Sequence, residues 1–528
     1  MSTAPVFGLP TPKLYWDVNG DFPGGSFDNF YDGAWGTDSF WTTDASGSSP
    51  TTDWVPGGNA VFSAGSNTDA DAYVVISGTQ LASSIVIDEG IVRFRNGTVD
   101  TGIGTVTVNA GATLDLDRQL RLNNDGKVIL NGGTLLSSNP FQAGSLIGFS
   151  KNLEVVGQGM IGYDDGDGMS DNKISTYFGI ISGTGGTTSN GGAGTLVKIG
   201  PDQIGIQARD VGGGVNSQSQ FTFSKLVVKQ GGYRGRGATI GGFFQLDERV
   251  FGAVPLAVLP DAITLDGGGI GVNLTTTLHP NRGITIGPNG GYLDHGATGR
   301  LSIPGPLSGT GTLTIGNPTS SVLTNVIFTL SNPNNISTFS GAIVGVRGAL
   351  QLDSSLHVAR LVDGVTNNAS ISIASGQTLL VGEPSGGADW SGAISGAGAL
   401  TKIGGSAQVL RGLSTYTGDT SVQGGTLIIV NPYLADGADV YLSTGATFGF
   451  SFIGTDVIRS LYINNVLQPA GTWGAPGSGA QFTTQLISDV GLLRATVGVP
   501  EPASIFYCGL LAYGTLLIRR RCSTVAGV

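Results

Sequence analysis

The stretch VTVNAGATLDL, from Val106 to Leu116, has two short runs of alternating apolar residues on either side of a turn that contains glycine. Alternation with a period of two is typical of a β-strand that buries one of its faces. Glycine suits the turn because it adopts left-handed backbone conformations without steric cost. The stretch therefore predicts a strand, a turn and a second strand.

Similar eleven-residue stretches recur along most of the chain. The copies that begin at Ile85, Val106 and Lys127 start 21 residues apart, as do those at Ile263 and Ile284. Further copies begin at Leu153, Leu226, Ile371, Thr420 and Val440. A meander of β-hairpins would show the same local pattern. A fixed period without helical segments favours a β-solenoid, in which each coil stacks on its neighbour.

We therefore predict an all-β fold, a right-handed parallel β-helix or β-solenoid with coils of about 21 residues. A short transmembrane-like helix is expected at the C-terminus. The composition agrees with this fold, since Gly accounts for 89 of 528 residues and charged residues for only 12%. Gly, Ser, Thr and Asn supply corners, and the β-branched residues between them favour strands.

The charge and the cysteines exclude some classes of protein. The net charge is −11, and only 26 Lys and Arg residues are spread along the chain. No broad basic surface can be formed from them, so we expect no nucleic-acid partner. The two cysteines, Cys508 and Cys522, lie near the C-terminus, and the chain before them therefore has no disulfide framework.

A longer pattern is superimposed on the short one. The sequences GGAGTLVKIG (191–200), SGTGTLTIG (308–316) and SGAGALTKIG (395–404) share the pattern Gly-x-Gly-x-Leu. The third copy continues through STYTGDTSVQGGTLIIV to Val430. The second copy lacks the lysine, and Phe339 stands where tyrosine is usual. The first copy has lost the middle of the pattern.

This longer pattern resembles the autotransporter-associated β-strand repeat. The resemblance covers 395–430 most closely and rests on Leu400, Lys402, Gly404, Thr415, Tyr416, Gly418, Thr420, Gly425, Thr426 and Leu427. It implies a structural element of secreted bacterial proteins, and it brings no catalytic residues to this chain.

The sequence VPEPASIFYCGLLAYGTLLIRRR, from Val499 to Arg521, combines a Pro-Glu-Pro motif, an apolar run and three arginines. The apolar run from Ile505 to Ile518 would extend about 21 Å as a helix, short of the ~30 Å hydrocarbon core unless neighbouring small residues lengthen it. An ordinary tail anchor is one interpretation of such a segment.

The order of the three parts resembles the PEP-CTERM sorting signal. The residues that carry this resemblance are Pro500, Glu501, Pro502, Arg519, Arg520 and Arg521. The resemblance implies an exported protein of Gram-negative type that the C-terminal helix holds transiently in the inner membrane. Exosortase-type sorting machinery would then process it and leave it at the cell surface or outside the cell. The N-terminus shows no signal peptide, so we expect a leader upstream of Met1.

The chain divides into five predicted segments. They are an unstructured N-terminal segment (1–13), a Trp-rich N-terminal cap (14–75), a β-solenoid with the associated repeats (76–490), the sorting signal (499–521) and a tail (522–528). The cap contains Trp16, Trp35, Trp41 and Trp54. These rings either pack over the open end of the solenoid, which needs cover, or form a platform on which a carbohydrate stacks.

One acidic segment suggests a metal. In YDDGDGMSDN (163–172), Asp165, Asp167 and Asp171 are spaced like the oxygen ligands of a Ca²⁺ loop, and Gly168 allows a tight turn. Met169 interrupts the pattern and no glutamate closes it. The other interpretation is a solvated acidic loop. Calcium is the only cofactor that the sequence suggests.

Residues with catalytic potential are scarce. Asp115 and Asp117 share a strand face, and paired carboxylates are typical of glycosidases and polysaccharide lyases. The histidines, His279, His295 and His357, show no metal-ligand spacing. No nucleophile elbow is present, and no cysteine before the tail can serve as a nucleophile.

We therefore expect no catalytic residues. The sequence predicts a non-enzymatic cell-surface or extracellular-matrix protein that acts as a scaffold or adhesin, with an extracellular polysaccharide as a candidate partner. The alternatives are an exported polysaccharide-active β-helix enzyme and a carbohydrate-binding protein that uses Trp35 and Trp41. An enzyme would bring Asp, Arg or Lys side chains from successive coils together in a cleft.

Overall fold

The structure is a computed structural model. It describes residues 11–26, 31–66, 71–116, 121–124, 126–138, 152–164, 174–177, 180–184, 193–207, 221–240, 243–296, 299–318 and 326–499. The chain forms two compact units, Met1–Leu350 and Gln351–Val528. Each unit is described by itself.

β-Strands make up nearly all of the regular secondary structure of the described residues. The strands that begin in the first unit are β1 (Lys13–Trp16), β2 (Gly33–Trp35), β3 (Trp41–Thr42), β4 (Gly58–Phe62), β5 (Asp71–Ile76), β6 (Thr79–Ile87), β7 (Ile91–Arg95), β8 (Thr98–Gly102), β9 (Thr105–Asn109), β10 (Thr113–Leu116), β11 (Arg121–Asn124), β12 (Lys127–Asn131), β13 (Thr134–Ser138), β14 (Asn152–Val156), β15 (Gln158–Asp164), β16 (Ile174–Tyr177), β17 (Ile181–Thr184), β18 (Thr195–Ile199), β19 (Gln203–Gln207), β20 (Lys225–Val228), β21 (Gly232–Arg236), β22 (Ala238–Ile240), β23 (Phe243–Gln245), β24 (Leu259–Leu265), β25 (Gly269–Val272), β26 (Thr276–Thr277), β27 (Arg282–Ile286), β28 (Gly291–His295), β29 (Gly299–Ile303), β30 (Leu307–Gly309), β31 (Leu313–Ile315), β32 (Val326–Leu330) and β33 (Ile343–Leu352). This unit also contains a 3-10 helix, Glu248–Phe251, and one turn of α-helix, α1 (Asn335–Thr338).

The second unit continues in the same way. Its strands are β34 (Leu356–Val358), β35 (Leu361–Ile373), β36 (Thr378–Val381), β37 (Gly387–Trp390), β38 (Ile394–Gly396), β39 (Ala399–Lys402), β40 (Ala407–Leu410), β41 (Thr420–Val422), β42 (Gly425–Ile429), β43 (Asp439–Leu442), β44 (Ala446–Phe450), β45 (Thr455–Ile458), β46 (Ser460–Ile463), β47 (Val466–Leu467), β48 (Gly471–Gly474), β49 (Phe482–Thr483), β50 (Ile487–Asp489) and β51 (Leu492–Ala495).

Long parallel sheets dominate the first unit. Sheet A has the order β17-β14-β12-β9-β6-β4-β1-β3, and sheet B the order β2-β5-β7-β10-β13-β15-β18-β20-β24-β27-β30. Sheet C begins β16-β19-β21-β25-β28-β31. Within sheet A, the terminal pair β1–β3 is antiparallel, whereas β1 and β4 run parallel.

The second unit has a comparable arrangement. Sheet D has the order β34-β36-β39-β41-β43-β46-β47, and sheet E the order β37-β40-β42-β44-β50. Strand β47 closes sheet D with an antiparallel pair. Four strands, β45-β51-β48-β49, form a further small sheet.

The two strands of each sequence repeat lie in different sheets. In Val106–Leu116, β9 pairs with β6 and β12 of sheet A, whereas β10 pairs with β7 and β13 of sheet B. A hairpin would pair β9 with β10, so the hairpin meander is wrong for this segment. The turn carries the chain from one sheet to the next, and each strand pairs in parallel with its counterpart in the neighbouring repeat.

The strand register confirms the 21-residue interval in two places. Ile85 aligns with Val106, and Ile263 aligns with Ile284. The expected start at Lys127 is wrong by one residue, because Val128 is the partner of Val106. Apolar residues rather than chain spacing set the register, since a slip of one residue would turn every side chain to the opposite face.

Other intervals are longer than 21 residues. Val128 aligns with Leu153 and Leu226 with Ile263, intervals of 25 and 37 residues. The longer interval contains the antiparallel pair β22–β23 and the 3-10 helix. Insertions between strands therefore change the length of the repeat without interrupting the parallel sheets.

Burial alternates along the strands as the sequence predicts. In β9, Val106 and Val108 are buried, whereas Thr105 and Thr107 are only half-buried. Successive side chains of a strand point to opposite faces, so the apolar members form the core and the polar members line the surface.

The described residues include no helix long and apolar enough to cross a membrane. The predicted C-terminal helix (505–518) lies outside the described residues, as do 1–10 of the N-terminal segment and all of 522–528. Lys13, which was expected to be unstructured, begins β1.

Candidate functional site

The tryptophans of the N-terminal segment form a buried aromatic cluster. Trp16, Trp35 and Trp41 lie on β1, β2 and β3, and each is 0% exposed. The ring centroids of Trp35 and Trp41 are 5.2 Å apart, and those of Trp41 and Trp54 are 4.5 Å apart. Phe62 packs against Trp16, Trp35 and Trp41.

This burial decides between the two interpretations of the tryptophans. A carbohydrate can stack only on a ring face that solvent can reach, and these rings offer none. The stacking platform on Trp35 and Trp41 is therefore wrong. Strand β3 ends sheet A and β2 ends sheet B, so the cluster lies at the terminal strands of two sheets, as expected for a cap.

Asp115 is part of an ion-pair network rather than an open carboxylate pair. Its Oδ2 lies 3.3 Å from Nε of Arg93, which also pairs with Asp71. Asp115 is buried, and Arg93 is its partner in the register of β7 and β10. Asp117 lies outside the described residues. A carboxylate neutralised in this way holds adjacent coils together.

The lysine of the longer repeat is buried in a turn. Nζ of Lys402 donates to the carbonyl oxygens of Ile403 at 2.6 Å and Gly424 at 3.4 Å. Burial lowers the pKa of Lys402 to about 8, although the nearby carboxylate of Glu383 opposes this shift. Because solvent does not reach Lys402, its role is to satisfy turn carbonyls and not to react.

The first copy of the repeat uses its lysine in the same way. Nζ of Lys198 donates to the carbonyl oxygens of Ile199 and Gly200, both at 2.7 Å, and of Gln230 at 3.1 Å. Lys198 is also fully buried. The Gly191 copy therefore keeps the lysine contact although its sequence has lost the middle of the pattern.

The second copy replaces the lysine by a cation from another strand. Ile315 occupies the position of the lysine, and Arg347 of β33 donates to the carbonyl oxygen of Asn317 at 2.9 Å. Phe339, in place of the tyrosine, is buried. Only the fold reveals that Arg347 takes over this contact, because it lies 30 residues from Asn317.

Four further residues of the best copy also have structural roles. The hydroxyl groups of Tyr416 and Thr420 are 2.7 Å apart, and both side chains are buried. Burial raises the pKa of Tyr416 above its usual value. Gly404 and Gly425 have φ angles of +66° and +62°, a conformation that favours glycine.

Arg234 and Asp294 are a pair that sequence analysis missed. They lie on strands β21 and β28 of sheet C and form an ion pair across β25, which lies between these two strands. Gly271 of β25 lies between the two in the register, and its missing side chain leaves room for the pair. Both side chains are largely buried.

Arg282 anchors the corner insertion that follows β21. Its Nε donates to the carboxylate of Glu248 at 2.8 Å, and its NH groups donate to the carbonyl oxygens of Phe251, Gly252 and Ala253. Arg282 is fully buried. The guanidinium thus holds the 3-10 helix against β27.

Side-chain ladders line the outer face of sheet A. Nδ2 of Asn109 donates to Asp88 at 2.7 Å, and Nδ2 of Asn131 donates to Oδ1 of Asn109 at 3.0 Å. The three residues belong to consecutive repeats. Such ladders join one repeat to the next and are typical of a structural surface.

The two histidines whose side chains the structure describes, His279 and His357, are not at a metal site. Nδ1 of His279 accepts the N–H of Asn281 at 3.2 Å, and Nε2 of His357 lies 3.2 Å from the carbonyl oxygen of Gly382. Among the described side chains, no group of three or more His, Cys, Asp and Glu residues is placed to hold a metal ion. The candidate calcium ligands, Asp165, Asp167 and Asp171, lie outside the described residues.

The residues of the sorting motif, Pro500, Glu501, Pro502, Arg519, Arg520 and Arg521, also lie outside the described residues. The described candidates, from the tryptophan cluster to Lys402, contact other parts of the fold rather than a shared cleft. Comparison of the chain with family models, curated proteins and solved structures finds no match.

Proposed function

We propose that this protein is an exported, non-enzymatic β-solenoid that serves as a scaffold or adhesin at the cell surface or in the extracellular matrix. The observation that carries the proposal is the use of the repeat residues. Lys198 and Lys402 bind turn carbonyls, and Asn109 and Asn131 link coils. The distinctive polar groups of the repeats therefore stabilise a repetitive structure.

The proposed fold is a right-handed parallel β-solenoid. The parallel pairing of equivalent strands from successive repeats supports it, as does the separation of β9 and β10 into different sheets. The handedness follows from the rule that crossovers between parallel strands of a sheet are right-handed in about 98% of cases.

The proposed route to the surface rests on the resemblance to the PEP-CTERM signal. The C-terminal helix would hold the protein in the inner membrane until exosortase-type machinery cleaves near Pro500–Pro502. Extracellular polysaccharide is the proposed partner after release. The resemblance of 395–430 to autotransporter-associated repeats supports the same location, since such repeats belong to the secreted parts of bacterial proteins.

Fractionation of the native host tests this proposal. One antibody would detect the segment 76–490 and another a tag placed after Val528. We expect the segment at the surface or in the medium without the tag. A variant with glutamine at Arg519, Arg520 and Arg521 should retain the tag, whereas Arg494→Gln, outside the signal, should not. Retention of both epitopes together in the inner membrane would contradict processing.

A polysaccharide-active enzyme is the second candidate, and the ion pair of Arg234 with Asp294 favours it, because a guanidinium and a carboxylate from different repeats meet there. The test is the release of new reducing ends or unsaturated products from host polysaccharides. Activity that disappears in Asp294→Asn but persists in Asp389→Asn would support this candidate. Equal product release with and without the protein would exclude it for those substrates.

A further inference from the structure

The chain leaves β1 through a tight loop that contains two buried polar side chains. Asp17 is 0% exposed and Asn19 is 8% exposed. The N–H of Asp17 donates to the carbonyl oxygen of Phe40, and the N–H of Val18 donates to that of Gly25, both at 2.9 Å. The backbone of the loop is therefore fixed around these two side chains.

Two oxygen atoms of this loop are buried without a hydrogen-bond partner. Oδ1 of Asp17 accepts the N–H of Asn19 at 3.1 Å, but Oδ2 of Asp17 has no partner. Oδ1 of Asn19 also has none. A buried polar atom without a partner is costly, and an unseen ion or water commonly explains it.

The chemistry of the orphaned atoms indicates a cation. Both are oxygens that can only accept, one from a carboxylate and one from an amide. Calcium prefers such ligands, and its loops commonly place them at alternate positions of the chain. Asp17, Asn19 and Asp21 have this spacing, and the side chain of Asp21 is exposed to solvent. Gly20 and Gly24 have φ angles of +75° and +91°, which allow the chain to form this tight loop.

The electrostatic surroundings also favour a cation. The negative charge of Asp44 acts on the carboxylate of Asp17, so a further negative charge lies close to the loop. Ser46, with Ser49 and Ser48, lowers the pKa of Asp44 to about 2. Asp44 thus stays ionised, and its oxygens accept hydrogen bonds from these serines, so it supplies negative charge rather than a ligand.

We propose that Asp17, Asn19 and Asp21 bind a calcium ion through their side-chain oxygens. The ion satisfies the two orphaned atoms and crosslinks the loop that follows β1. The site has two carboxylates and one amide, and it is separate from the acidic segment 163–172. It is independent of the proposed function, because a scaffold, an adhesin and an enzyme can each contain it.

Terbium luminescence tests the site in the full chain. Tb³⁺ binds calcium sites, and excitation of the indole of Trp16, the chain neighbour of Asp17, sensitises its emission. After treatment with EDTA, we expect saturable emission that CaCl₂ displaces. Calorimetry with CaCl₂ should give the same binding, and CaCl₂ should raise the midpoint of thermal unfolding relative to EDTA.

Four variants separate this site from the alternatives. Asp17→Asn and Asp21→Asn should each weaken binding at least about tenfold, since even residues that only support metal ligands contribute that much. Asp53→Asn, an exposed acid of the same region, should bind like the parent. A triple variant with asparagine at Asp165, Asp167 and Asp171 should keep the sensitised emission.

Folding does not confuse the result, because Asp21 is exposed and Asp21→Asn should keep the near-ultraviolet circular dichroism of the parent in EDTA. Absence of saturable binding would overturn the proposal. Binding that survives both Asp17→Asn and Asp21→Asn, or that only the triple variant loses, would overturn it as well.

Discussion

The side chain of Lys402 is buried in a turn, where its ammonium group donates hydrogen bonds to backbone carbonyl oxygens. The surrounding protein lowers its pKa to about 8, below the ordinary value of 10.5. Between these values the unfolded chain binds more protons than the folded one. The stability of the second unit should therefore rise with pH in this window, which is the opposite of the usual behaviour of a paired lysine.

The first prediction follows from this lysine. Lys402→Met removes the titrating group, so the rise in stability between about pH 8 and 10 should become smaller than in the parent. The midpoint of thermal unfolding of the second unit, measured at several pH values in this range, checks the prediction. Arg411→Met, at an exposed ion pair with Asp389, should keep the parental rise. Parallel pH profiles of Lys402→Met and the parent would refute it.

The second prediction concerns Asp456, a buried carboxylate. Its oxygens accept the N–H groups of Leu434 at 3.0 Å and Val457 at 3.1 Å, yet burial raises its pKa to about 6 from 3.8. Between these values the folded chain binds more protons, so this group makes stability fall as pH rises from about 4 to 6. In urea unfolding, the stability of Asp456→Asn should fall less between pH 4 and 6 than that of the parent.

The exposed carboxylate of Asp389 provides the matched control for this measurement. The stability of Asp389→Asn should fall between pH 4 and 6 as much as that of the parent. If Asp456→Asn and Asp389→Asn change with pH to the same extent, Asp456 is not the group responsible.

One side chain makes most of the polar contacts that hold the insertion after β21. Arg282 is the partner of Glu248 and of three carbonyl groups, and Tyr233 adds a 2.6 Å hydrogen bond from its hydroxyl to the carbonyl of Val250. The 3-10 helix buries Val250 and Phe251 beneath this network. Loss of the guanidinium would leave a half-buried carboxylate and buried carbonyls without their donor.

The third prediction is that Arg282→Met lowers the free energy of unfolding of the first unit by about 3–5 kcal/mol, the usual cost of breaking a buried ion pair on one side. Denaturant titration measures it. Lys229→Met, at an exposed position of the same unit, should change this free energy by no more than about 0.5 kcal/mol. A similarly small change in both variants would show that the network around Arg282 contributes little to the stability of the first unit.

The strands can be predicted from the sequence, but the residues with which they pair cannot. Val106 and Val108 alternate with polar residues, so the strand at β9 follows from local pattern alone. The pairing of Val106 with Val128 rather than Lys127 depends on which face is buried in the neighbouring coil. Glu248 and Arg282 are 34 residues apart, and nothing near either residue indicates the other.

The candidate sites were predictable to a smaller extent. Clustering of tryptophans in the sequence indicated a special N-terminal segment, but burial, which only packing decides, excludes the stacking platform. The chain spacing of Asp115 suggested an open carboxylate, whereas its neutralisation by Arg93 depends on strand register. The orphaned oxygens of Asp17 and Asn19 are likewise invisible until the loop is folded.

At the scale of the whole molecule, both units close sheets with antiparallel strands. Strand β3 covers the end of sheet A, and β47 covers the end of sheet D. A bare parallel edge would present unpaired N–H and C=O groups to other chains. The tryptophan cluster adds apolar cover at the N-terminal end of sheets A and B.

The fourth prediction is that a chain shortened to 67–528 self-associates, because it lacks β1 to β4 and exposes the next strands of sheets A and B. Light scattering coupled to size-exclusion chromatography should detect species larger than the shortened chain itself. A chain shortened to 11–528 keeps these strands and should elute like the full protein. A monodisperse 67–528 of unchanged stability would show that the end needs no cover.

The separation of β9 and β10 into different sheets also determines how the protein responds to mechanical force. Strands such as β9 and β10 are held by hydrogen bonds to their counterparts in the repeats before and after them, so tension on the chain ends would load one repeat at a time. A 21-residue repeat, such as that from Ile85 to Val106, releases about 70 Å of extended chain when it detaches. The units would lengthen in discrete steps under load, and a repetitive chain can thereby absorb pulling without losing all of its structure at once.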